Sequence, residues 1–381
     1  MMKVIDTEKL PIKMWLDEID GGALRQAKNL ANLPFAFKWI AIMPDSHEGY
    51  GMPIGGVLAT EREIIPNAVG VDIGCGVIAA QTSLTEIDSD TLKKIIGRAR
   101  ELIPVGFNHQ KVDQVWEGFD EAPDFTIMQR ELASARRQLG TLGGGNHFIE
   151  IQAGNDGYIW LMIHSGSRNI GLKVAGYYNK LAQSLCAKWY TGVADKDLAF
   201  MPLDTKEGRE YYDAMSFCLQ FARANRALMM KRMLEIVSEI AGAEAQDELD
   251  IHHNYAAIEN HYGKNVLVHR KGATRAAKGK RGIIPGSMGT SSYIVVGLGN
   301  PESFESCSHG AGRKMGRKEA TRSLNLKEEQ EKMKGIVHGL RTIKELDEAP
   351  GAYKDIDSVM ENQRDLVEVK VKLEPLAVIK G

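Results

Sequence analysis

The feature that most constrains this chain is where its glycines lie: they are concentrated beside residues that carry chemistry. Glycine accounts for 39 of 381 residues, about 10% against an average near 7%. The excess falls in short motifs that also hold His, Asp or Cys, recurring from about residue 45 to the C-terminus. Glycine permits positive φ and close backbone approach, so these motifs read as tight loops that turn polar side chains inward. Their spread predicts one site assembled by the whole chain, with residues 1–381 forming a single domain. No linker, low-complexity segment or repeat of roughly 20–50 residues interrupts the pattern.

Composition excludes several classes. Lys and Arg number 48, Asp and Glu 50, and the net charge is −2. With 43% hydrophobic residues, a disordered chain is excluded, as is a generally basic one, although a local basic groove is not. No run of about 18 apolar residues exists, so no membrane span is expected. The opening MMKVIDTEKLPIKMW lacks the apolar core and cleavage site of a secretory signal. Cys75, Cys186, Cys218 and Cys307 are too few and too scattered for a disulfide framework. A reducing cytoplasm is the expected location.

Apolar stretches at Phe37–Met43, Val77–Ser83, His147–Gln152, Tyr158–His164, Asn265–His269, Ser292–Gly297 and Leu366–Leu373 read as strands. Helical periodicity marks Ser89–Leu102, Ile127–Leu139, Lys173–Tyr190 and a long segment from about Gly208 to Ala241. Met215, Met229, Met230 and Met233 fall on the apolar face of that segment and read as core packing. Strands and helices mix without a regular βαβ rhythm, which predicts an unusual α/β or mixed α+β fold.

Six motifs stand out. In Asn67–Val77, Asp72 and Cys75 sit among Gly70, Gly74 and Gly76; a carboxylate and a thiolate at i and i+3 can share a metal, or the sulfur can bridge two. The plainer alternative is a turn with a capping Asp and a buried Cys. In Thr141–Glu150 a glycine loop feeds a strand, and alternation puts His147 and Ile149 on one face and Phe148 and Glu150 on the other. Ile163–Arg168 places His164 at a strand end before small residues and Arg168, a side chain suited to bidentate phosphate binding. In His252-His253 the neighbours point to opposite sides, so one of the two is the candidate ligand. The Val268–Ser292 segment holds Arg270, Lys271, Arg275, Lys278, Lys280 and Arg281 with no acidic residue, which suits an RNA backbone or a triphosphate. In Ser306–Arg313, His309 precedes Gly-Ala-Gly, leaving room for a bulky group, and a following helix start would bind an anion. Each motif also admits a structural reading as a turn, a strand end or a solvated loop.

Together the motifs supply a thiolate, an Asp, four candidate histidines and many phosphate-binding groups. Histidine and thiolate suit Mn or Zn better than Mg alone, and imidazole is a competent phosphoryl nucleophile. The residues therefore point to a metal-dependent phosphoryl- or nucleotidyl-transferase. No GxxxxGK[ST] loop, Rossmann glycine fingerprint or Lys-x-Asp-Gly motif is present.

MPDSHEGYGMPIGG, NAVGVDIGCGV, GGGNHFIE, HSGSR, HHNY, PGSMGTSSY, SCSHGAGR, Ala352-Tyr353-Lys354 and the closing Lys380-Gly381 resemble the RtcB family of RNA-splicing ligases, in order over about residues 35–381. The resemblance implies a single-domain fold with the site in a central cleft. It implies GTP- and Mn2+-dependent joining of RNA 3′-phosphate or 2′,3′-cyclic phosphate ends to 5′-hydroxyl ends. His309 would be the guanylate acceptor. Cys75 would bridge two Mn2+ ions, with Asp72 and His147 completing one ion's ligands and His164 and His253 the other's. Asn146, Phe148, Glu150, His253, Ser287, Ser292, Ala311, Tyr353 and Lys380 would contact GMP, and Glu150 suits the N1–H and amine of guanine. Arg168 and Arg313 would contact phosphate or RNA. Asn169 stands where many members have Gly. Two other classes compete: an enzyme on the same scaffold that processes RNA ends without joining them, and a non-catalytic RNA-binding protein. The oligomeric state and the physiological RNA are not legible.

Overall fold

Two sheets of different composition meet at the site. The computed structural model describes residues 2–381. One sheet has six strands, in the order Lys3–Ile5, Ile12–Met14, Ala36–His47, Ile54–Thr60, Lys264–Lys271 and Asn254–His261. The other has seven: Ala245–His252, Gly76–Thr82, Ile159–Ser165, Phe148–Gly154, Val367–Lys380, Ser292–Gly297 and Arg281–Ile284. Pairing is antiparallel in both, except where Ile12–Met14 runs parallel to Ala36–His47. The chain passes directly from the edge of the seven-stranded sheet to the edge of the six-stranded one, and His253 is the residue at the crossing.

Alternation divides the seven-stranded sheet. Ile78, Ala80, Ile149, Ile151, Leu161 and Ile163 face Met229, Met230, Met233 and Ile236 of the long helix Lys206–Ala241 and Ile95, Ile96 and Ala99 of the helix Ser89–Leu102. Val77, Ala79, Phe148, Met162 and Val378 line the opposite face, whose upper part opens into the cleft. The long helix is capped at Thr205, whose Oγ1 accepts from the Gly208 N–H, and ends at Gly242 in the left-handed region. Its methionines are fully buried, as the periodicity predicts.

The mixed α/β expectation holds, and the expected strands lie within a few residues of those observed, with three instructive differences. His147 precedes its strand, which begins at Phe148, so the alternation rule does not govern it. The last strand continues seven residues past Leu373 through a bulge at Pro375/Ala377; proline looks like a stop in sequence, but a bulge accommodates it. The helix expected from Lys173 starts at Arg168. Its first turn contains Gly171, where a Cβ would lie 1.8 Å from the Ser167 hydroxyl, so a poor helix former is retained for close packing. Among the described residues no helix is long and apolar enough to cross a membrane.

Candidate active site

The loop before the strand Gly76–Thr82 shows why its glycines are there. At Gly76 a Cβ would sit 2.0 Å from the Ile251 carbonyl oxygen. At Gly74, φ is +73° and a Cβ would meet Ala222 of the long helix at 2.9 Å. With both positions closed to side chains, the loop turns Asp72 and Cys75 into the cleft.

Three histidines converge there from different elements. Cys75 Sγ lies 3.5 Å from His147 Nε2 and 3.2 Å from His164 Nε2. His164 Nε2 is 3.3 Å from His253 Nε2, and His147 Nε2 is 3.0 Å from Asp72 Oδ2. The far nitrogens fix two of the tautomers. His147 Nδ1 is 2.9 Å from the Leu142 carbonyl and His164 Nδ1 is 3.1 Å from that of Asn146. A carbonyl only accepts, so each Nδ1 carries a proton. When the rings are neutral, both Nε2 lone pairs face one sulfur, and a thiol has a single proton to offer. Burial holds His164 and His253 well below the ordinary imidazole pKa, which favours their neutral forms. Among the described residues, His253 Nδ1 is buried without a hydrogen-bond partner.

This is a surplus of acceptors over protons, and a cation would resolve it. Cys75, His147 and His164 place one donor atom each within 4.8 Å of one another, all buried. Burial and the neighbouring Asp72 push the Cys75 thiol far up, a cost that metal coordination reverses. Burial opposes ionisation of Asp72, but its carboxyl is held below the usual range by His147 when that ring carries a second proton, on Nε2, and by Arg168. Nitrogen, thiolate and carboxylate donors together fit a transition-metal ion.

His309 stands beside this cluster. Its ring centroid is 4.7 Å from that of His253, and the strand Ser306–Ser308 that delivers it pairs with Ala273–Arg275. Asp45, fully buried at the end of Ala36–His47, accepts from His309 twice through Oδ2: from Nδ1 at 2.5 Å and from the backbone N–H at 3.0 Å. With Nδ1 engaged, Nε2 is the nitrogen left free to react. Gly312 is required here, since a Cβ would lie 2.1 Å from the Asp45 carbonyl oxygen. The helix expected after His309, with Arg317 and Lys318, is present as the seven-residue Arg317–Ser323; between the two, the Ala311 and Lys314 N–H groups bond to the Pro285 and Ala352 carbonyls.

A cleft of about 1360 Å³ joins these groups to the other end of the site. Asn146, Phe148, Glu150, His253, Ser287, Ala311, Tyr353 and Lys380 all line it with His309, Asp72, Cys75 and His164. His147 sits behind Cys75. Ser292 does not line the cleft: it is fully buried one layer back, where its Oγ accepts from Gly286 N–H and Gln152 Nε2. Glu150 accepts from Gln152 Nε2 at 2.7 Å, and burial raises its carboxyl to about 7 against the pull of Lys380.

Several residues of the site are not apparent from sequence. Asp45 and His47 lie inside MPDSHEGYGMPIGG with no glycine adjacent to either; His47 lines the cleft, and burial lowers its pKa to about 4. Glu348 is the hub of the far wall. It accepts from Arg313 Nη1 at 3.0 Å, from Arg317 Nε at 2.9 Å and from the Tyr353 hydroxyl, with Lys380 Nζ 3.8 Å away. Arg313 is thus already paired. Arg168 is held with its guanidinium across Gly143 and near Asp72.

The basic stretch departs from expectation. Arg270 is fully buried and paired with Glu259, and Lys271 donates to the Tyr50 and Met52 carbonyls. Arg281 pairs with Asp247, and neither Arg275, Lys278 nor Lys280 lines the cleft. Of the six, Lys271 alone lines the cleft; Arg270 is committed to a buried ion pair and Arg281 to a surface one. Exposed cations do flank the cleft at Lys314, Arg317, Lys318 and Arg322.

Comparison with known proteins agrees with this geometry. The family model described as tRNA-splicing ligase RtcB matches residues 26–381. The RNA-splicing ligase RtcB of Escherichia coli K12 is 39% identical, with 100% of this chain and 99% of that protein aligned. The tRNA-splicing ligase RtcB of Pyrobaculum aerophilum is 32% identical over 98% of this chain and 95% of its own. The RNA-splicing ligase RtcB of Mycobacterium tuberculosis is 32% identical over 93% of this chain and its whole length. A match across nearly the full chain, together with a thiolate–histidine cluster beside a carboxylate-held histidine, establishes that this chain belongs to the RtcB family.

Proposed function

We propose that this chain is a GTP-dependent RNA ligase that joins RNA 3′-phosphate or 2′,3′-cyclic phosphate ends to 5′-hydroxyl ends, in RNA splicing or repair in the cytoplasm. One catalytic domain, residues 1–381, carries the whole reaction. The observation that supports it most directly is the His309–Asp45 pair, 2.5 Å apart, beside the Cys75–histidine cluster. The imidazole has its Nδ1 proton fixed and its Nε2 free, which is the state a phosphoryl nucleophile needs.

Three displacements follow. His309 Nε2 attacks the α-phosphorus of GTP; an N–P bond forms and the bond to pyrophosphate breaks. The Asp45 carboxylate stabilises the positive charge that the ring then carries. An RNA 3′-phosphate oxygen attacks the same phosphorus, the N–P bond breaks, and His309 returns to its neutral state. The 5′-hydroxyl of the second RNA attacks the 3′-phosphorus, loses its proton and displaces GMP. A cyclic end is first opened by water to a 3′-phosphate. Two Mn2+ ions, one on Asp72, Cys75 and His147 and the other on Cys75, His164 and His253, would neutralise charge on the phosphate oxygens. Glu150 would accept from guanine, and Phe148, Asn146, Ser287, Ala311, Tyr353 and Lys380 would hold the rest of the nucleotide. Ser292 acts beneath them through Gly286. Arg168 and Arg313 would orient phosphates or RNA.

The test is incubation with radiolabelled GTP and Mn2+, followed by denaturing electrophoresis and RNA joining. A protein-bound label that is acid-labile and alkali-stable, plus ligated RNA, is expected. Label without joined RNA would make the chain an end-processing enzyme; neither label nor joining would make it a binding protein.

A further inference from the structure

The ligand loops come from four places in the chain, yet one step of the long helix touches all of them. Asn225 and Arg226 are adjacent and fully buried. Every N–H of the Arg226 guanidinium is used. Nη1 donates to the Gly74 and Ser165 carbonyls, both at 2.9 Å. Nε and Nη2 donate to the Asp250 carboxylate at 3.0 and 2.6 Å, and Nη2 donates again to His252 Nδ1 at 3.1 Å. Gly74 precedes Cys75, Ser165 follows His164, and His252 precedes His253.

Asn225 reaches the remaining loop. Its Oδ1 accepts from the Gly140 and Thr141 N–H groups at 2.7 and 3.1 Å. Its Nδ2 donates to the Thr141 carbonyl and the Ser165 hydroxyl, both at 3.1 Å, and to the Gly166 carbonyl at 3.3 Å. The Ser165 hydroxyl in turn donates to the Leu142 carbonyl, which also receives His147 Nδ1–H. The two side chains thus connect the segments bearing Cys75, His147, His164 and His253 to one rigid helix.

We propose that Asn225 and Arg226 are the positioning residues of the metal centre: they set the spacing of its donors, and with it metal affinity. This rests on the metal reading above. Burial of an ion pair such as Arg226–Asp250 is a weak stability device, whereas outer partners that orient ligands typically change metal affinity by roughly 10–100-fold. A lysine in place of Arg226 keeps the charge beside Asp250 and loses the fork. An aspartate in place of Asn225 is isosteric, keeps an acceptor and loses both Nδ2 N–H groups, which three acceptors share.

The experiment titrates the full chain with Co2+, following the visible bands and the thiolate-to-metal band in the near ultraviolet, alongside thermal unfolding without metal. Arg270→Lys, which disturbs an equally buried ion pair with Glu259, is the stability control; the Arg270 hydrogen bonds go to Glu259, Tyr255, Ser306 and Phe304 and not to the groups that Asn225 and Arg226 hold. Arg226→Lys and Asn225→Asp are expected to weaken Co2+ binding tenfold or more and to shift the thiolate band. Arg270→Lys, with a comparable loss of unfolding temperature, should leave both unchanged. Wild-type affinity and spectrum in the two variants, or losses matched by Arg270→Lys, would overturn the proposal. If Arg226→Lys does not fold, Asn225→Asp decides alone. A wild-type protein that takes up no Co2+ would defeat the metal reading itself, a result distinct from failure of the clamp.

Discussion

The two ends of the cleft are built on opposite electrostatic logic. At the Cys75 end, donors face one another with too few protons between them: Nε2 of His147 and of His164 aim at one sulfur, and His253 Nδ1 has no partner among the described residues. At the Glu348 end, the groups already have partners: Arg313, Arg317, Tyr353 and Lys380 gather round one carboxylate. The first end is unsatisfied and calls for a cation. The second is satisfied and offers shape. His309 stands where they meet, held by Asp45 and packed against His253.

The comparison breaks most severely if His309 belongs to the cation-binding end rather than to the junction. His309→Ala should abolish GMP labelling and ordinary joining, on the order of 10⁶-fold as for loss of a nucleophile. It should retain Mn2+ binding and still join RNA supplied with a 3′-guanylate cap. Asp45→Asn, which removes the orienting carboxylate, should cost about 10⁴-fold. Loss of Mn2+ binding in His309→Ala, measured by calorimetry, would place the histidine among the ligands.

Cys75→Ala tests the unsatisfied end. Losing a direct ligand should lower Mn2+ affinity by more than the ~100-fold upper range for outer partners, with joining lost. Unchanged two-site Mn2+ titration would contradict the sharing of one sulfur.

Glu150→Gln probes the satisfied end. Only the ionised carboxylate accepts two guanine donors, and burial puts its pKa at about 7. GTP affinity should therefore be full above pH 7 and decline as pH falls through it. Glu150→Gln should flatten that profile and cost about 10-fold or more in preference for GTP over ATP. A wild-type profile that stays flat between pH 6 and 8 would remove Glu150 from guanine recognition.

The smallest effect concerns RNA. Neutralising Lys314, Lys318 and Arg322 beside the cleft should reduce the salt slope of RNA binding by about 0.7 for each phosphate left without a cation. Neutralising Arg275, Lys278 and Lys280, which do not line it, should leave the slope unchanged. The reverse result would restore the basic stretch as the RNA path.

Legibility followed the local signal. Cys75, His147, His164 and His309 each sit in or beside glycine-bearing or small-residue motifs, which mark loops where a side chain is turned for use, whereas His253 shows only as one of an adjacent histidine pair. Asp45 has no such mark, being one acid at the end of an apolar strand. Glu348 lies in an acidic run with Glu345 and Asp347, and nothing local distinguishes which of the three turns inward. The basic segment is visible as composition, but composition carries no direction: Arg270 points into the core and Lys278 to solvent.

What the sequence determined by itself was the menu of donors and the loops that expose them, because glycine spacing and strand or helix periodicity act over a few residues. The tertiary structure alone decided which donors meet. Cys75 and His253 are 178 positions apart, and Asp45 and His309 are 264 apart; no local rule reaches that far. Their meeting depends on sheet order, on the crossing between sheets at His253, and on one buried helix whose Asn225 and Arg226 bind the backbones of the converging loops. Hydrogen bonds of that kind go to carbonyl and N–H groups that every residue possesses, so they leave no trace in the sequence of the loops they hold.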